Sequence, residues 1–146
     1  MEVTTESAEE TKALGRKIAD TLKGGEILAL SGNLGTGKTT FVQGLAEGLG
    51  YASRVTSPTF ILMRSYPLPI THHPSPITNL YHVDLYRFEE NVENEAVNIG
   101  LTDIWQNPKN VVVIEWAEKI ANLLPKNTQK IEFSNKGDNL RKITIN

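Results

Sequence analysis

Apolar positions along the chain change their period several times, and each change marks an element. Leu14, Ile18 and Leu22 recur at helical spacing behind Ser7 and Glu10, which read as a capping box, until Gly24-Gly25 halts the run. This pattern predicts a helix from about Ser7 to Lys23. Glu26 to Ser31 is then a short, nearly continuous apolar run, suited to a strand buried on both faces of a largely parallel sheet. Helical spacing returns with Phe41, Val42, Leu45 and Leu49. Within that helix Gly44 and Gly48 are expected to leave room for it to lie close to the sheet, and Gly50 ends it.

Farther along, Thr59 to Tyr66 and Asn79 to Tyr86 read as strands. Between them Pro67 to Thr78 holds four prolines and the pair His72-His73. Proline lacks the N–H that a ladder needs, so a mobile connecting loop outside the sheet is expected there, with the histidines in solvent. A helix from about Val92 to Gln106, a buried strand from Val111 to Trp116 and a short helix to about Leu124 follow. Lys130 to Ser134 and Leu140 to Ile145 alternate like two strands joined through Asn135 to Asn139, a hairpin. The alternation of strands and helices gives an α/β three-layer sandwich: one domain, residues 1–146, whose mixed, largely parallel central sheet ends in a C-terminal antiparallel hairpin.

Composition narrows the chemistry. Without a single cysteine, a disulfide framework, a thiolate metal site and a cysteine nucleophile are all excluded. The apolar runs are far shorter than a bilayer span and the N-terminus lacks the basic-then-apolar start of a signal peptide, so a cytoplasmic location is expected. The formal net charge is -2 and no Lys/Arg block stands out, which gives no independent nucleic-acid surface.

The sharpest motif follows the first apolar run. Gly32-Asn33-Leu34-Gly35-Thr36-Gly37-Lys38-Thr39 fits G-x-x-x-x-G-K-[ST], a match expected by chance in roughly one chain in two hundred of this length. A buried strand before it and an amphipathic helix after it are what phosphate binding requires. Glycines free the backbone to wrap the phosphates, and N–H groups at a helix start face the negative charge. The fold class is therefore P-loop NTPase-like. Lys38, exposed until phosphate arrives, is expected to reach the β and γ phosphates of ATP, and the Thr39 hydroxyl to ligate Mg²⁺.

Mg²⁺ takes oxygen ligands, so a carboxylate is expected at the end of a neighbouring buried strand, and Glu115 after Val111 to Ile114 has that position. An exposed strand-end glutamate would look the same in sequence. Asp84, ending a second strand-like run, could orient water, either as a base or through the metal shell, or could pair structurally with Arg87. Ser57-Pro58-Thr59 lies where a threonine can sense a γ phosphate, although the residues by themselves read first as a turn-initiating Ser-Pro.

Taken together, Glu9-Glu10-Thr11-Lys12, Gly32 to Thr40, Ser57-Pro58-Thr59-Phe60, Tyr81-His82-Val83-Asp84-Leu85-Tyr86-Arg87 and Glu115-Trp116 resemble the TsaE family (also called YjeE) over most of the chain. That family is the ATPase component of bacterial tRNA threonylcarbamoyladenosine synthesis. The resemblance implies Thr39 and Glu115 on Mg²⁺, Lys38 on phosphate and Asp84 needed for turnover. It also implies Thr59 in a switch-like loop, Thr11 and Arg141 toward the nucleotide base, and Trp116 beside the nucleotide. It further implies two partners: TsaD, which transfers the threonylcarbamoyl group to adenosine in tRNA, and TsaB. ATP hydrolysis would reset their complex, and tRNA would be met indirectly, through it. The chain departs from the family pattern in the proline-rich Pro67 to Thr78 and in Ala117, where the family often has proline or serine.

Two other classes share such a loop. A small-molecule kinase needs a lid with several arginines, whereas Arg16, Arg54, Arg64, Arg87 and Arg141 are scattered along this chain. A nucleotide-dependent binding module would keep the loop and lack turnover.

Overall fold

The computed structural model describes residues 1–56, 58, 62–69 and 77–146. Its strands are β1 (Glu2–Thr5), β2 (Ile27–Ser31), β3 (Met63–Pro67), β4 (Asn79–Asp84), β5 (Asn110–Glu115), β6 (Gln129–Asn135) and β7 (Arg141–Ile145). They form one sheet in the order β1-β7-β6-β2-β5-β4-β3. The inner four, β6-β2-β5-β4, run parallel, and antiparallel strands extend the sheet on both sides. The C-terminal hairpin is thus built into the main sheet, with β6 paired directly to β2.

Helices α1 (Ala8–Ala19) and α2 (Lys38–Gly48) cover one face, and α3 (Val92–Asn98), α4 (Leu101–Gln106) and a 3-10 turn at Ala117–Ile120 cover the other. This layering explains the continuous apolar runs. In β2, Leu28 and Leu30 pack toward α1 and α2, while Ile27 and Ala29 pack toward the second layer, so neither face of the strand can be polar. β5 is buried along its whole length for the same reason.

Several expectations are corrected. β1 has no apolar alternation and was not foreseen; its partner β7 supplies the ladder, with Val3 opposite Ile143. Helix α1 is capped by the Ser7 hydroxyl, which accepts from the Glu10 N–H at 3.1 Å, but it ends at Ala19 and continues only as turns through Leu22. The helix expected over 92–106 is two helices, because Gly100 adopts φ 83° and starts a new one at Leu101. The short helix expected to about Leu124 is a 3-10 turn that ends at Ile120.

Gly44 and Gly48 serve α1 rather than the sheet. A Cβ on Gly44 would lie 2.0 Å from the Lys12 carbonyl oxygen, and one on Gly15 would lie 2.4 Å from that of Phe41. The two helices cross with backbones in contact, which only residues without side chains allow.

Pro67 is the last residue of β3, opposite Asn79. It is tolerated because β3 is the edge strand of the sheet. The segment after it is anchored at both ends: Leu68 and Ile77 are buried in the core, and the Leu68 N–H donates to the Thr78 carbonyl at 2.9 Å. Its expected mobility, and His72 and His73 with it, falls on residues 70–76, outside those described.

Candidate functional site

Period-two alternation carries the acidic side chains to one face. Along β5, Val111 and Val113 point toward the α1/α2 layer and Val112 and Ile114 away, so Glu115 continues the first set. Along β4, Leu80 faces that layer and Val83 the other, which places His82 and Asp84 with Glu115. The parallel register sets Asp84 directly beside Glu115. Both carboxylates are 3% exposed and stand at the strand ends where α2 begins.

Between β2 and α2 the glycine loop turns with Gly32 at φ 135°, Gly35 at 76° and Gly37 at 99°, conformations that side chains resist. The Thr36 hydroxyl braces the turn by donating to the Asn33 carbonyl at 2.7 Å. Lys38 departs from expectation. It is 5% exposed, with its ammonium donating to the Gly32 carbonyl, lying 3.3 Å from that of Asn33 and 4.1 Å from the centre of the Trp116 ring. Burial holds its pKa below the ordinary lysine value, opposed in part by Glu115, then Glu118 and Asp84. The loop's own carbonyls and an aromatic face thus hold the charge that was expected in solvent.

The Thr39 hydroxyl lies 3.3 Å from both oxygens of Glu115. Hydroxyl and carboxylate converging at a helix start form an all-oxygen donor pair that suits Mg²⁺. Among the described residues no group of three or more His, Cys, Asp or Glu could cage a metal. The Asp84 carboxylate accepts the Tyr86 N–H at 2.9 Å, which fixes the turn leaving β4.

A cleft of about 350 Å³ gathers these groups: Thr11, Leu34 through Thr40, Asp84, Glu115, Trp116 and Arg141 all line it. Gly32 and Asn33 line an adjoining hollow with Leu34 and Phe133. Thr11 is buried, its hydroxyl 2.7 Å from that of Thr5. Arg141 is tethered across the hairpin turn, its Nη1 donating to Asn135 Oδ1 and to the Asp138 and Leu140 carbonyls at 3.0–3.1 Å. Trp116 takes φ 62°, an uncommon conformation for a bulky residue, and stacks obliquely on Tyr86 at 5.2 Å. Ser57, Thr59 and Phe60, the expected switch-like segment, lie outside the described residues.

Sequence reasoning missed other participants. Ser7, Ala8, Tyr86 and Asn139 also line the cleft. Lys119 donates to the carbonyls of Leu85, Tyr86 and Phe88 at 3.2, 2.8 and 2.7 Å, tying the turn after Asp84 to the one after Glu115. Nothing in spacing marks Lys119. His82 was legible, since it sits two residues before Asp84 and so on the same face.

A buried parallel strand, a glycine loop at positive φ and a helix start, with two acids on the flanking strand ends, define an α/β protein of the phosphate-loop type. The family model described as "Threonylcarbamoyl adenosine biosynthesis protein TsaE" matches residues 5–143, and the chain belongs to that family. It is similar to the tRNA threonylcarbamoyladenosine biosynthesis protein TsaE of Bacillus subtilis, 39% identical over 97% of this chain and 82% of that protein. The protein of the same name from Treponema pallidum is 36% identical over 99% of both chains. Among solved structures, the crystal structure of Bacillus subtilis YdiB superposes with a TM-score of 0.76 at 33% identity, covering 99% of this chain and 83% of that one.

Proposed function

We propose that this chain is a Mg²⁺-dependent ATPase that acts in the formation of threonylcarbamoyladenosine in tRNA. In this reading it works in the cytoplasm with TsaB and TsaD, hydrolyses ATP slowly alone, resets their complex through hydrolysis, and meets tRNA only through them. The observation that carries the reading is the convergence of Lys38, Thr39, Asp84 and Glu115 on one cleft, in a chain of the TsaE family.

The loop from Gly32 to Gly37 offers backbone N–H groups to the phosphates, and the start of α2 adds its dipole. Lys38 exchanges the Gly32 and Asn33 carbonyls for phosphate oxygens, moving its charge onto a stronger acceptor. Thr39 and Glu115 would hold Mg²⁺, which when bound neutralises charge developing on the transferred phosphoryl group. Asp84, beside Glu115 in the ladder, orients the attacking water. Trp116 and Tyr86 wall the cleft, and Thr11 and Arg141, which also line it, would face the nucleotide base.

Partner dependence follows from where the arginines lie. Efficient phosphoryl transfer often uses an arginine worth about 10³ to 10⁵ in rate. Arg141 lines the cleft but is held by the hairpin turn. Arg87 follows β4 on an exposed turn and is not among the cleft-lining residues.

Hydrolysis rates at saturating ATP and Mg²⁺, with the chain alone and with purified TsaB and TsaD, test the proposal. A sharp acceleration on adding the partners is expected. A chain that alone matches the complete mixture overturns partner gating, and phosphate appearing on a small-molecule acceptor would instead establish a kinase.

A further inference from the structure

His82 is fully buried, yet no step described so far uses it. Its Nε2 lies 2.5 Å from Glu115 Oε2, and its Nδ1 has no hydrogen-bond partner among the described residues. A buried imidazole with one nitrogen unsatisfied is costly, and an apolar residue would fill this position in the α1/α2 core without that cost.

The contact explains the cost. Glu115 has two oxygens, and the Thr39 hydroxyl approaches both at equal distance, so Thr39 does not choose between rotations of the carboxylate. His82 does, because it contacts only Oε2 and comes from the neighbouring strand of a rigid parallel ladder. An ionised carboxylate only accepts, so the proton in this contact sits on Nε2. Ligating groups in metal sites are commonly held by such an outer partner, whose loss typically lowers metal affinity about 10- to 100-fold.

We propose that His82 is a positioning residue: it fixes the Glu115 carboxylate through Oε2 so that its open side is presented, together with the Thr39 hydroxyl, to Mg²⁺. This inference rests on the nucleotide reading above. His82 touches neither nucleotide nor metal in this role and acts only through Glu115.

The test is calorimetric titration of a non-hydrolysable ATP analogue into wild type, His82→Leu and His82→Gln, each with Mg²⁺ and with EDTA. Wild type is expected to gain affinity from Mg²⁺. In His82→Leu that gain falls about 10- to 100-fold while binding in EDTA is unchanged, and His82→Gln, whose amide can still donate to Oε2, recovers part of it. Imidazole ¹⁵N spectra of the ligand-free wild type should show one histidine in the Nε2–H tautomer, and its signals should be missing from His82→Gln.

A His82→Leu protein that keeps the full Mg²⁺ gain overturns the inference alone. Equal losses with Mg²⁺ and with EDTA also overturn it, since they report a general structural role. A wild type with no Mg²⁺ gain overturns the nucleotide reading itself. If His82→Leu does not fold, His82→Gln and the tautomer decide: a proton on Nδ1 in place of Nε2 refutes the contact.

Discussion

The two ends of the parallel strands are built on opposite principles. Where β2, β4 and β5 finish, the protein buries Thr36, Lys38, His82, Asp84 and Glu115; where the same strands start, the described residues bury Asn110. Asn110 is satisfied by main chain, its amide donating to the Ile104 carbonyl at 3.0 Å and its own carbonyl accepting from the Gly25 N–H at 2.7 Å. At the far end the polar groups lean on each other and on the glycine loop, Lys38 on the Gly32 carbonyl and Thr39 on Glu115. Such contacts can be exchanged for a ligand's atoms, whereas those of Asn110 cannot. In the proposed function, one end holds polar groups for folding and the other for replacement.

Asp84→Asn should break the contrast most severely. Loss of a water-orienting carboxylate is expected to lower partner-stimulated turnover by about 100-fold or more while ATP affinity stays near that of wild type. Rates and calorimetry on the same preparation check this; equal losses in both would give Asp84 a structural role instead.

Lys38→Met should lower ATP affinity by about 10- to 100-fold, the scale of losing charge-assisted hydrogen bonds, and should also make the ligand-free fold melt higher. The second effect has a pH signature. Burial depresses the folded-state pKa of Lys38 below 10.5, so between the depressed value and 10.5 the unfolded chain binds more protons than the folded one. Stability without nucleotide therefore rises with pH across that window and carries the charge penalty below it. Calorimetric melting of the substituted chain should lack this rise, and a lower melting temperature at neutral pH would show that Lys38 stabilises the empty cleft.

Glu115→Gln keeps the side-chain shape but would weaken the proposed Mg²⁺ site, and the Mg²⁺ midpoint for ATP binding should rise by about tenfold or more. Overlaying titrations would remove Glu115 from the ligand set. The smallest effect sharpens the contrast from the other end: Asn110→Ala should cost about 1–2 kcal/mol in denaturant unfolding and leave ATP affinity untouched. A loss of affinity there would mean that the two ends are coupled.

How much of this could be read in the sequence depended on distance along the chain. The strand, glycine loop and helix around Gly32 to Thr39 are contiguous, so spacing alone displayed them. Glu115 was visible as the polar end of an apolar run. β1 was not, because Glu2 to Thr5 become a strand only by pairing with Arg141 to Thr144. Gly44 was visible but misassigned: spacing says that a glycine admits close approach, not that the approaching group is the Lys12 backbone. Lys38 was placed in solvent because its partners, the Gly32 carbonyl and the Trp116 ring, come from the loop's own fold and from a strand end far along the chain. His82 could be placed on the acidic face by its spacing from Asp84, but nothing in an alternating strand marks its contact with Glu115, two residues beyond its own ladder partner Val113.

The strand order also bears on how the chain is made. β2, near the N-terminus, has β5 and β6 as its sheet neighbours, and β1 has only β7. A growing chain extends at about 5–20 residues per second, so the glycine loop leaves the ribosome several seconds before the strands that will flank it. Glu115 and Arg141, which both line the cleft, are supplied by those late strands. A nascent chain thus carries its glycine loop early but gains the full lining of the cleft only after β7 has been made and has joined the sheet.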